Sequence, residues 1–152
     1  MTERTVTHGT FIIERTYPVP PAKVFAAFKD PQIKRRWFVE GKGFTTQSYE
    51  LDFRVGGWER TRGTAPGETP YSNDTVFFDI VPDERIIFSY QMTWKNAPIS
   101  VSLTTIELRP EGAGTHMTFT EQDAFLEGGD GTEIRKQGTQ QLLDSLNAEL
   151  MR

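Results

Sequence analysis

The chain has 152 residues, of which 36% are hydrophobic, 12% aromatic and 25% charged, with a formal net charge of −4. That length suits one domain with its own core, and an acidic surface argues against nucleic acid, whose phosphates need a clustered positive field. Cysteine is absent, which removes disulfides, thiolate nucleophiles and thiolate metal sites. No apolar run approaches the roughly 18 residues of a membrane span, and the opening residues form no apolar leader, so a cytoplasmic protein is expected.

Residues 1–9 are polar and read as a flexible start. Thr10 to Tyr17, rich in β-branched and aromatic residues, reads as the first strand. Pro18, Pro20 and Pro21 end it, and Pro21 suits the first turn of a helix that carries Val24, Phe25 and Phe28 at helical spacing. Asp30-Pro31 restarts a second short helix, Asp30 as N-cap and Pro31 at the first helical position. Ile33, Trp37 and Phe38 lie on one side of it. Lys34, Arg35 and Arg36 lie on the other and read as a solvated face, with an acidic partner as the alternative.

Six further strands follow. Phe44 to Val55 alternates Tyr49, Leu51, Phe53 and Val55 against Glu50, Asp52 and Arg54. Gly56-Gly57 signals a turn into a third strand from Trp58 to Arg62. The Pro- and Gly-containing stretch Gly63 to Asn73 reads as the longest loop, either a pocket flap or ordinary hairpin variability. Strands Asp74 to Val81, Arg85 to Trp94, Ile99 to Leu108 and Thr115 to Gln122 are joined by short turns, which predicts an antiparallel meander. After Gly128-Gly129-Asp130-Gly131, a helix from Thr132 to Met151 is expected. Asp130 and Glu133 resemble a capping box, and Ile134, Gly138, Leu142, Leu146 and Leu150 form an i+4 stripe. This order predicts an α+β fold: a curved sheet of about seven strands with the last helix across its concave face and a cavity between them.

Motifs for metal, nucleotide or serine-hydrolase chemistry are missing. The two histidines, His8 and His116, are far apart in the chain, and no HExxH, P-loop or Gly-x-Ser-x-Gly is present. No cofactor and no metal site are expected. Parity instead points to an inward set: Phe88, Tyr90 and Met92 on strand five, Val101 and Leu103 on strand six, and Met117, Phe119 and Glu121 on strand seven. Trp37, Phe38 and Phe53 join from the earlier elements, and Gly138 and Leu142 from the last helix. Each has two readings, core packing or the wall of a ligand pocket.

Glu121 carries the chemistry. A carboxylate placed inward must be paired, hold a proton, or sit at a wet mouth, and Arg54, Glu59, Arg60 and Tyr90 are the available partners. On strand three, parity leaves open whether Trp58 or Glu59 faces in. An inward Glu59 beside Glu121 would form an acid–base pair; an outward one would belong to a surface ion-pair set with Asp52, Arg54 and Arg62.

Taken together, Tyr17-Pro18-Val19-Pro20-Pro21-Ala22-Lys23-Val24-Phe25, Asp30-Pro31, Trp37-Phe38, Asp52-Phe53-Arg54-Val55-Gly56-Gly57, Ile80-Val81-Pro82-Asp83-Glu84-Arg85-Ile86 and Gly114-Thr115 resemble the landmarks of one family. The chain is similar to homologues of the activator of the Hsp-ninety ATPase, in the helix-grip superfamily also called SRPBCC or START/Bet v-like, and resembles a bacterial single-domain branch of it. The resemblance implies a helix-grip fold over roughly Thr10 to Leu150. It also implies one of three roles: carriage of a small apolar molecule, cyclase- or hydrolase-like catalysis, or interaction with a chaperone. Many relatives carry Gly-Trp where this chain has Gly138-Thr139, which implies a roomier or more polar cavity here. Binding of a small, largely apolar ligand is the leading expectation, with Glu121 as polar anchor. Acid–base catalysis by Glu121, Glu59 or Tyr90 is the alternative, and a homodimer stays open.

Overall fold

The computed structural model describes residues 3–40 and 43–152. Strand β1 (Thr7–Tyr17) leads into helix α1 (Pro21–Lys29) and helix α2 (Pro31–Lys34), which continues as a π-helical turn, Arg35–Val39. Strands β2 (Thr45–Leu51), β3 (Trp58–Ala65), β4 (Thr69–Val81), β5 (Arg85–Trp94), β6 (Ala97–Glu111) and β7 (Gly114–Phe125) follow, and helix α3 (Thr132–Leu150) closes the chain. The strands form one curved antiparallel sheet in the order β1-β7-β6-β5-β4-β3-β2. The predicted helix-grip arrangement is therefore present. The first strand starts three residues before its expected position; residues 1 and 2 of the expected flexible start lie outside the described residues.

Local chemistry explains the breaks. Pro21 starts α1, and Asp30, in an extended conformation, ends it and caps α2 by accepting from the N–H of Gln32 at 2.9 Å and of Ile33 at 3.4 Å. The backbone then widens, Glu40 N–H reaching Arg35 C=O at 3.0 Å across five residues, the geometry of a π-turn. This turn seats the Trp37 indole, which donates to Ala27 C=O at 2.9 Å and packs edge-on to Phe28.

The expected long loop is a tight hairpin instead. Strand β3 runs on to Ala65 and β4 begins at Thr69, leaving only residues 66–68 to turn, with Gly67 and Glu68 both at positive φ. Pro70 is tolerated as the second residue of its strand, where its C=O still accepts from Lys95 N–H.

The sheet's concave face is organised in rows set by the strand register. Tyr49, Thr61, Asn73, Met92, Ser100 and Phe125 form one row, each paired with the next across the sheet. Glu59, Thr75, Tyr90, Ser102 and Asp123 form the next. Phe77, Phe88, Thr104, Glu121 and Phe11 come third, followed by Ile80, Ile86, Ile106, Phe119 and Ile13. The floor under α3 is thus polar along its first two rows and apolar along the last. The apolar rows, with Val24, Phe25, Phe28, Leu143, Leu146 and Leu150, make the core.

Two parity expectations are overturned. On β6, Ser100, Ser102 and Thr104 are buried, whereas Val101 and Leu103 are 47% and 42% exposed on the outer face. The inward hydroxyls are held there by what α3 brings down on them, described below. On α3 the buried line is Arg135, Thr139, Leu143, Leu146 and Leu150: Leu146 and Leu150 keep their expected place, the first three positions shift by one residue, and Ile134 is 61% exposed. The capping box does not form either, because Asp130 is taken by Arg135 and the N-cap is Gly131 at φ 87°.

Candidate functional site

Between α3 and the concave floor lies a cavity of about 580 Å³. Phe88, Tyr90 and Met92 of β5, Phe119 and Glu121 of β7 and Gly138 and Leu142 of α3 line it, as do Trp37 and Phe38 of the π-turn. Glu59 also lines it and is only 3% exposed, which resolves β3 with Glu59 inward and Trp58 on the other face under Arg60. Five expected lining residues are elsewhere. Val101 and Leu103 face out. Trp58 stacks on Arg60, the guanidinium 4.1 Å from the ring centre. Phe53 packs between Phe25 and Phe77, ring centres 5.6 and 5.0 Å away, and Met117 is fully buried in the core below. The apolar matter of the core and the wall of the cavity are contiguous, so alternation alone could not divide them.

Two buried charged clusters stand on the polar rows. The first surrounds Arg135, which sequence parity missed entirely. Its guanidinium reaches both oxygens of Asp130 at 2.8 Å, Ser100 Oγ at 2.8 Å, the Tyr90 hydroxyl at 2.9 Å and Ser102 Oγ at 3.4 Å. Tyr90 in turn donates to Glu121 Oε2 at 2.8 Å, and Thr104 donates to Oε1 at 3.2 Å. Of the expected partners of Glu121, Tyr90 alone is in place; Arg135 Nη1 lies 3.8 Å away. Burial pushes the Glu121 carboxyl up to about 8, helped by neighbouring Asp123 and opposed by the Tyr90 hydrogen bond and Arg135. Near neutral pH it therefore holds a proton. Asp123 is buried, and among the described residues neither of its oxygens has a hydrogen-bond donor.

Burial likewise holds the Tyr90 phenol well above its usual range, reinforced by the Glu121 charge. A legible signal did exist for Arg135. Two acidic residues at inward positions of β7, two residues apart, call for a cation or a proton beside them, and Arg135 and Lys136 are the cations that α3 carries.

The second cluster lies at the other end of the floor. Lys34, expected on a solvated face, is 4% exposed and meets Glu59 Oε2 at 3.0 Å and Oε1 at 3.1 Å. It stands at the end of α2, its ammonium 4.4 Å from the centre of the Phe38 ring. Tyr49 donates its hydroxyl to Glu59 as well, and burial followed by the Glu59 charge holds that phenol above its usual range. Glu59 and Glu121 thus line one cavity in separate clusters, each with its own cation, and do not form the acid–base pair that sequence allowed. Among the described residues, no group of three or more His, Asp or Glu could hold a metal ion, and no helix is long and apolar enough to cross a membrane.

A long helix gripped by a curved antiparallel sheet, with a lined cavity between them, defines the helix-grip class of α+β proteins. Within it the chain belongs to the family described as activator of Hsp90 ATPase homolog 1-like protein, whose pattern matches residues 18–151. Among solved structures it is similar to an uncharacterized protein of Rhizobium leguminosarum, 41% identical over 99% of both chains with a TM-score of 0.94. A protein of Rhizobium loti is 50% identical over 95% of this chain and 99% of its own, TM-score 0.88. One from Chromobacterium violaceum is 28% identical over 94% and 97%, TM-score 0.77. No curated protein matches.

Proposed function

We propose that the chain binds one small, largely apolar molecule between its sheet and α3. The observation that supports this is the cavity of about 580 Å³, within the size of drug-scale ligand sites, which typically run to about 300–1,000 Å³. Its walls combine aromatic and aliphatic side chains with a few oriented polar groups, the mixture such sites use. Apolar burial alone gives little selectivity, about 0.8 kcal/mol per CH₂, so the polar rows would choose the guest. Native mass spectrometry of the purified protein tests this. A co-purified small molecule, released on unfolding and absent from a cavity-filled variant, is the expected result; an empty protein that no apolar probe stabilises against heat sinks the reading.

One observation favours a second reading, acid–base catalysis. Glu121 lines the cavity and holds a proton up to about pH 8, which suits a general acid. Turnover of a cyclisable or hydrolysable substrate that is lost in Glu121→Gln and kept in the outer-face variant Leu103→Thr would establish it.

A further inference from the structure

The two polar clusters differ in what they leave open toward the cavity: at the Arg135 end the unpartnered oxygens, among the described residues, are those of Asp123, which does not line the cavity. The guanidinium of Arg135 has five N–H donors, and the five contacts to Asp130, Ser100, Tyr90 and Ser102 occupy them all. Both Glu121 oxygens accept from hydroxyls, Tyr90 at 2.8 Å and Thr104 at 3.2 Å. A guest hydrogen-bonding here would have to break a bond already made.

At the Lys34 pole, groups remain to be met. Thr61 lines the cavity, is 3% exposed, and its hydroxyl has no hydrogen-bond partner among the described residues. Buried hydroxyls are rarely left so, and the cost is recovered when a partner arrives. Lys34 has three N–H donors but, among the described residues, only the Glu59 carboxylate to take them, which leaves at least one N–H among the rings of Phe28, Trp37 and Phe38. Glu59 and Thr61 stand two residues apart on one face of β3, so the free hydroxyl and the ion pair belong to the same pole.

Charge selects the kind of head group. Lys34 and Glu59 cancel, so an ammonium head would meet a carboxylate already neutralised by Lys34, and a carboxylate head would be desolvated beside Glu59. A neutral hydroxyl does neither: its oxygen accepts from Lys34, and it exchanges a second hydrogen bond with Thr61. Phe38 and Phe88 line the cavity and give it aromatic walls suited to a flat apolar body.

Resting on the small-molecule reading above, we infer that the ligand is a neutral, flat, hydroxyl-bearing molecule whose hydroxyl sits at the Lys34–Thr61 pole, with its apolar body directed toward Phe88. Glu121 and Arg135 are the closed end of the cavity and not its anchor.

Fluorescence titration of the full chain with pyrene, hydroxypyrene and pyrene carboxylate tests this. Hydroxypyrene should bind about tenfold tighter than pyrene, the worth of one good hydrogen bond, and the carboxylate weakest. In Thr61→Val, checked for folding by its melting curve, hydroxypyrene should lose most of its advantage over pyrene, the Lys34 bond alone remaining. Thr61→Ser and the outer-face control Leu103→Thr should keep the preference. A preference that survives undiminished in Thr61→Val and disappears in Glu121→Gln overturns the assignment. Pyrene binding as tightly as hydroxypyrene to the natural chain also overturns it while leaving cavity binding intact. If none of the three binds, both this inference and the small-molecule reading fall together.

Discussion

Tyr90 on β5 and Arg135 on α3 meet at 2.9 Å, the guanidinium donating to the phenol oxygen, and the phenol passes its own proton on toward Glu121 at 2.8 Å. One hydroxyl thus ties the closing helix to β7 through β5. The tie makes α3 part of the cavity's chemistry as well as its roof.

The first prediction concerns pH. Unfolded, a Glu carboxyl titrates near about 4.3; folded, Glu121 is held up to about 8, mainly by burial. Between these values the folded chain keeps a proton that the unfolded chain has lost, so this group's contribution is fully favourable below the lower value and falls away as pH rises through the window. The groups facing it are Asp123, Tyr90 and Arg135. Glu121→Gln should flatten this decline, worth on the order of 3–5 kcal/mol across the window. Urea unfolding at about pH 5, 7 and 9 should show the variant gaining on the natural chain at each step; parallel profiles refute it.

The second concerns α3. Arg135→Met leaves Asp130, Asp123 and two serines without their cation, and should cost about 3–5 kcal/mol in urea unfolding. Ile134→Ala, one residue earlier and exposed, should change stability by less than about 0.5 kcal/mol. The reverse ranking would restore the stripe read from sequence.

A third pair tests β6. Ser100 is fully buried and accepts from Arg135 at 2.8 Å, so Ser100→Val should destabilise by about 1–3 kcal/mol. Leu103→Thr on the outer face should be nearly neutral. Thermal melts of the two decide it.

A fourth measures room. Apart from its own helical turn, no atom of the described residues lies within 4 Å of where a Cβ on Gly138 would be, and Gly138 lines the cavity. Gly138→Trp should therefore keep or raise the melting temperature, since Gly costs a helix about 0.8–1.0 kcal/mol relative to Ala, while abolishing probe binding. Unchanged binding would place the guest elsewhere.

Finally, Thr61→Val removes a buried hydroxyl that has no partner among the described residues without changing shape, and should raise the stability of the ligand-free chain by about 1 kcal/mol. A loss of similar size would show that the hydroxyl already has a partner in solution.

Much of the architecture was legible because β4 to β7 are punctuated by turns whose positive φ falls at Asp83, Lys95, Asn96 and Gly112, residues that signal turns in sequence. Strand interiors were harder. Val101 and Leu103 attract an inward reading because apolar side chains usually go in, and only the guanidinium above β6 explains why Ser100 and Ser102 take that face instead. Nothing local to Arg135 announces its burial. Lys34 was misplaced for a different reason: it stands three residues before Trp37 and four before Phe38, a spacing that puts it on their face, and its charge drew an outward reading. Glu121 and Tyr90 were found because a charge or phenol amid apolar neighbours is visible in sequence. Thr61 was not, since an unsatisfied hydroxyl exists only in three dimensions.

The pairing of β1 with β7, Thr7 opposite Phe125 and Tyr17 opposite Thr115, sets an order of events during synthesis. The opening strand leaves the ribosome long before its neighbour has been translated, and contacts so distant in the chain form slowly. Until the last hairpin emerges, the nascent polypeptide must carry Phe11 and Ile13 uncovered on an unpaired edge, the condition under which growing chains aggregate. Moving β1 to follow α3 by circular permutation would make that pairing local and should shorten the vulnerable interval.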